Sequence, residues 1–143
     1  MTVPTWRRLP FVRAGLLAAS LLFGCGADGR YVLIGTSHAP NASGTVEVDA
    51  LGGESTEVSV HLEFLHAPNR VSEQMTGYVV WFVPDHGAAV FGGVLKYNAE
   101  QRTGDLQATS PFRHFTVKIT AESSAHPNAP SENAIATQEV KLK

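Results

Sequence analysis

A single cysteine, Cys25, stands in this chain of 143 residues, and without a second thiol no intrachain disulfide framework can form. No apolar run is long enough to cross a bilayer. The run AGLLAASLLF at residues 14–23 would rise only about 15 Å as a helix, against a hydrocarbon core of about 30 Å. Charge is scarce at 17% of residues. Beyond the first 25 residues, 8 basic side chains face 13 acidic ones, and a mildly acidic chain without a basic cluster excludes nucleic acid as a partner. Helical periodicity, internal repeats and heptads are also missing. So are the G-x-S-x-G elbow of many hydrolases and the H-E-x-x-H zinc helix.

Against these absences stands an apolar fraction of 43%, enough to close a hydrophobic core without metals or cross-links. The length fits one domain. Arg7, Arg8 and Arg13 carry all the charge of the first 25 residues, and the apolar run follows them directly. This is the order of a charged n-region and a short h-region in an export signal. An aromatic one place late for the twin-arginine pattern, Phe11, points to general secretion.

At the end of that run, Leu22-Phe23-Gly24-Cys25 resembles the lipobox of bacterial lipoproteins. In that family a diacylglyceryl group joins the cysteine sulfur, and a peptidase cuts between the preceding small residue, here Gly24, and the cysteine. The resemblance implies a signal peptide over 1–24, a palmitate-type lipid anchor on Cys25, a tether over 25–30 and a domain over 31–143. The bilayer then becomes a partner through acylated Cys25, and Gly26 in place of Asp favours the outer membrane. A single acyl chain holds only marginally, whereas two or more hold a protein stably.

Nearly all of the remaining pattern has period two. Val58, Val60, Leu62 and Phe64 alternate with Glu57, Ser59, His61 and Glu63, and Phe115, Val117, Ile119 and Ala121 alternate with His114, Thr116, Lys118 and Thr120. Such alternation predicts strands with one buried and one wet face. Strands are predicted near 30–35, 45–51, 56–66, 76–83, 89–97, 104–109, 112–122 and 135–142, separated by Gly- and Pro-rich punctuation. Seven or eight short strands at this spacing predict an all-β, Ig-like antiparallel sandwich. The run YVVWFV at 78–83 has no polar face, so it predicts a central strand covered on both sides, or one whose second face meets a partner. Gly92-Gly93 within the next strand predicts a bulge or a close backbone approach.

The block from 77 to 141 also resembles the extracytoplasmic C-terminal domain of anti-sigma-K factors. Tyr78, Trp81, Pro84, Gly93, Val94, Leu95, Glu122 and Pro127 fall into that family's Y-x-x-W, V-P, G-V-L, Glu and Pro-loop places. The resemblance implies a β-sandwich outside the cytoplasm, without known catalytic residues. The cytoplasmic segment with which those regulators grip a sigma factor has no counterpart in the leader, so that activity is not carried over.

Several residues are candidates for chemistry. Six histidines invite a metal or hydrolytic reading through His61, His66, His86 and His114. However, H-x-E-x-x-H across His61, Glu63 and His66 sets its outer members on opposite faces of a strand. Asp85 and His86 sit in a P-D-H-G sequence that reads as a turn. Trp81, Tyr78 and Tyr97 could offer an aromatic platform, core packing being the competing reading. Asn41-Ala42-Ser43 matches a glycosylation sequon, which occurs by chance in a bacterial lipoprotein. The expectation is a non-enzymatic, lipid-anchored envelope module without a cofactor, binding an envelope protein or small ligand, with Trp81, Tyr78, Asp85 and His86 as candidate binding residues. The alternatives are an exported metal-binding protein or hydrolase, and an accessory of envelope stress sensing.

Overall fold

The computed structural model describes residues 29–143 and, before them, Thr2 alone. The expected signal peptide, Gly24, Cys25 and most of the expected tether therefore lie outside the described residues. Among the described residues, alternating segments become nine strands: β1 (Gly29–Ile34), β2 (Ser43–Gly52), β3 (Ser55–Glu63), β4 (Gly77–Val83), β5 (Val90–Val94), β6 (Lys96–Asn98), β7 (Thr103–Ser110), β8 (His114–Glu122) and β9 (Ala134–Lys141). They form two antiparallel sheets, β1-β2-β3-β7-β6 and β5-β4-β8-β9, and the expected all-β sandwich is what the chain builds. The apolar members of each alternation meet between the sheets. Val46, Val48, Val58, Val60 and Leu62 face Tyr78, Val80, Phe82, Phe115, Val117 and Ile119, all at most 3% exposed. Each such side chain contributes about 1.5–3 kcal/mol on burial.

One strand more is found than expected, because the run predicted at 89–97 is divided between the sheets. β5 pairs with β4, while β6 pairs with β7. The division follows from Gly92, Gly93 and Leu95. Pairing skips from Trp81–Phe91 to Val80–Gly93, so Gly92 is the extra residue of a bulge, and such a bulge bends the strand. A Cβ on Gly92 would lie 2.9 Å from the Val80 carbonyl oxygen; the bulge and the close approach occur together. Gly93 has φ of 149°, and Leu95, 2% exposed, drops into the core where the chain changes sheets. β3 stops at Glu63, short of the predicted 66, because Phe64 turns into the left-handed region with φ of 58°.

β4 is an interior strand of its sheet, and both of its faces are covered. Tyr78, Val80 and Phe82 belong to the inter-sheet core, while Val79 and Trp81, each 1% exposed, point to the other side. That second face is covered by the chain itself. The Phe91 ring meets Trp81 edge-on at 5.7 Å, and His126, from the Pro-rich β8–β9 loop, lies 5.9 Å from Phe91. The Trp81 indole N–H donates to Thr120 Oγ1 at 2.9 Å. The Thr120 hydroxyl in turn donates to Glu122 Oε1 at 2.5 Å, and Ser131 N–H donates to the same oxygen at 2.7 Å. These bonds clasp the loop to the sheet.

The open sides of the sandwich are also managed, as exposed strand edges otherwise recruit foreign strands. Thr36 N–H donates to Ile135 O at 2.8 Å, and Gly35 forms a bridge with Ala136. The Tyr31 hydroxyl both donates to Lys141 O and accepts from Lys141 N–H. Thus β1 joins the edge of β9 across the two layers.

Candidate functional site

Three regions gather the side chains that could do chemistry, and register decides which meet. In the first, β3 and β7 pair so that His61 stands opposite Asp105 on the outer face of the five-stranded sheet. The His61 Nδ1–H donates to Asp105 Oδ1 at 2.6 Å, and Nε2 lies 3.7 Å from Glu63 Oε1. The hydrogen bond to Asp105, set against a small desolvation, raises the His61 pKa above 6.5. Around this pair runs an open groove of about 660 Å³, lined among others by Arg30, Glu47, Ser59, Lys96 and Asp105. Arg30 and Glu47 pair across it at 3.4 Å. Charged side chains of both signs border this accessible surface, and Val60, Val94 and Leu106 also line it, a mixture that suits an extended peptide with polar and apolar side chains.

The second region is the aromatic set. Tyr78 is fully buried and Trp81 is 1% exposed, so neither ring offers a face to a ligand. The Tyr78 hydroxyl donates to His66 O at 2.7 Å, and its ring meets Tyr97 edge-on at 6.0 Å. Burial pushes the Tyr78 hydroxyl pKa up, so this phenol stays neutral. Packing, the competing reading, describes what Tyr78 and Trp81 do, whereas Tyr97 is half-buried and also lines cavities beside the β6–β7 turn. Trp81 and Glu122 are likewise committed to the clasp beneath the β8–β9 loop.

The third region is the end of the sandwich where β1 begins. Gly29 pairs with Val48, Thr56 with Ser110, Val83 with Thr116 and His114 with Lys141. The β2–β3 hairpin, the β4–β5 turn, the β7–β8 turn and the end of β9 are therefore neighbours. Asp85 and His86 lie here, exposed in the β4–β5 turn, with Gly87 at φ of 114° turning the chain. Here too lies a cavity of about 650 Å³ bounded by Tyr31, Ala50, Arg113, Lys141, Leu142 and Lys143. The Arg113 Nε is buried without a hydrogen-bond partner. Lys141 pairs with Glu139 at 2.9 Å, which raises its pKa, and Asp85 adds a smaller attraction.

The histidines scatter. His66 Nδ1 faces the Arg102 guanidinium at 3.4 Å, His126 packs on Phe91, His38 Nδ1 lies against Ala134 O at 3.2 Å, and His114 is exposed. Among the described residues no three His, Cys, Asp or Glu side chains are placed to hold a metal ion. Sequence reading missed Asp105, Arg30 and Lys96 around the groove, and the Arg113–Lys141–Lys143 set. Alternation marks His61 as outward-facing, but only strand register brings Asp105 to it. Comparison with family models, with curated proteins and with solved structures finds no match for this chain.

Proposed function

We propose that this chain is a non-enzymatic, lipid-anchored protein of the bacterial cell envelope, whose β-sandwich is a ligand- or protein-binding module held close to the membrane. One observation carries the reading. Cys25, at the end of the charged and apolar leader, stands only four positions before Gly29, where β1 begins. Four Cα–Cα steps reach at most about 15 Å, so an acylated Cys25 would keep the folded body within one short leash of the headgroups. β1 takes the last two residues of the expected tether, Gly29 and Arg30. The open groove around His61 and Asp105 is the described surface where such a ligand would sit.

Fractionation of cells expressing Cys25→Ser tests the anchor. The native protein is expected in the membrane fraction and the variant in the soluble fraction of the envelope. Equal membrane retention of both would overturn the reading.

A further inference from the structure

The Gly29 end of the sandwich combines an exposed apolar residue with a cavity lined by cations. At the tip of the β2–β3 hairpin, Leu51 is 54% exposed, carried on a turn in which Gly52 and Gly53 both have positive φ. Beside it, Ala50 forms one wall of the cavity bounded by Arg113, Lys141 and Lys143. These cations come from the β7–β8 turn and the end of β9, far apart in sequence and together here. The acidic groups facing them are Glu139, 2.9 Å from Lys141, and the more distant Asp85; Glu54 lies on the hairpin tip. Arg113, which lines the cavity, also has a buried Nε without a hydrogen-bond partner. An exposed leucine beside a cation-lined cavity has the two components of an interfacial membrane contact, an apolar residue for the acyl boundary and positive charge for phosphate.

The direction of the chain selects the occupant. Only residues 26–28 separate Cys25 from Gly29, and Gly29 belongs to this same end. From the cavity, the short tether and the charges together we infer that this end docks on anionic phospholipid headgroups, with Leu51 toward the acyl boundary and Arg113 and Lys143 on the phosphates. The inference rests on the anchoring reading and adds an orientation to it. The groove around His61 and Asp105, on the outer face of the five-stranded sheet, is then held beside the bilayer and open to the aqueous side.

The test is amide hydrogen exchange on the full protein recovered from membranes. It is reconstituted into vesicles of phosphatidylcholine alone or of phosphatidylcholine with phosphatidylglycerol. Exchange at residues 51–54 is expected to slow severalfold in the anionic vesicles relative to the neutral ones. The β6–β7 turn at 98–102, at the opposite end, is expected to exchange equally in both. Each cation near an anionic leaflet is worth about fivefold in binding, so Arg113→Gln with Lys143→Gln should abolish most of the lipid dependence while leaving the exchange of β4 and β8 unchanged. Inorganic phosphate added to the neutral vesicles should not reproduce the protection; if it does, the cavity takes a free anion and membrane docking is refuted. Equal exchange at 51–54 in both vesicles also refutes docking. The mass of the peptide carrying Cys25, read from the same sample, reports the anchor separately.

Discussion

Replacing Trp81 by alanine should remove the layer that seals the outer face of β4. The indole is 1% exposed, and burying a tryptophan takes roughly 200 Å² out of water, or about 5 kcal/mol at about 25 cal/mol per Å². Aromatic-to-alanine changes in cores cost about 3–5 kcal/mol, and the edge-on Phe91 contact at 5.7 Å is part of that sum. Against the roughly 5–15 kcal/mol that stabilises an ordinary domain, Trp81→Ala should remove a large share of the stability. Trp81→Phe keeps a ring against Phe91 but loses the N–H donated to Thr120 Oγ1. Because Thr120 still donates to Glu122, the loss should be only about 1–2 kcal/mol. Urea unfolding followed by far-ultraviolet circular dichroism measures both. If the alanine variant unfolds within about 1 kcal/mol of the native protein, Trp81 is not sealed beneath the loop and the reasoning fails.

Asp105→Asn should return the His61 pKa toward 6.5, since the hydrogen bond to Asp105 is the largest cause of its rise; a proton-detected histidine titration reads the shift directly. The sign for stability follows from tighter proton binding in the folded state. The contribution is fully present below the unfolded value of about 6.5 and fades as pH rises through the raised folded value. The side chain is 45% exposed, so the amount is a few tenths of a kcal/mol to about 1 kcal/mol, and the variant should lose that pH dependence. Gly92→Ala would press a methyl against the Val80 carbonyl and the Phe82 ring at 2.9–3.0 Å. Urea unfolding should show a loss of about 1–3 kcal/mol, whereas Gly77→Ala, whose Cβ would meet nothing within 4 Å, should cost much less.

Alternation made the faces of the strands readable, but it could not name their neighbours. Val58, Val60 and Leu62 were assignable to the core because side chains alternate along a strand, and residues 78–83 to a doubly covered strand because they have no polar face. Gly92-Gly93 announced an irregularity. It did not announce that the chain would leave one sheet for the other at Leu95, since a period-two pattern is unchanged by which sheet a strand joins. The pairing of His61 with Asp105 depends on the β3–β7 register, and a one-residue slip there would send Asp105 to the other face. The convergence of Arg113 with Lys141 and Lys143 depends on the β8–β9 pairing in the same way. That Trp81 is covered follows from a strand without a polar face, but what covers it, the Phe91 ring and the fold-back of the β8–β9 loop, is set by tertiary structure.

The mass of the N-terminal peptide of the mature protein, isolated from bacterial membranes, tests the central claim most directly. A chain that begins at Cys25 and carries glyceride-linked acyl groups on its sulfur is the expected result. A peptide that still contains the leader, or an unmodified Cys25, would contradict it.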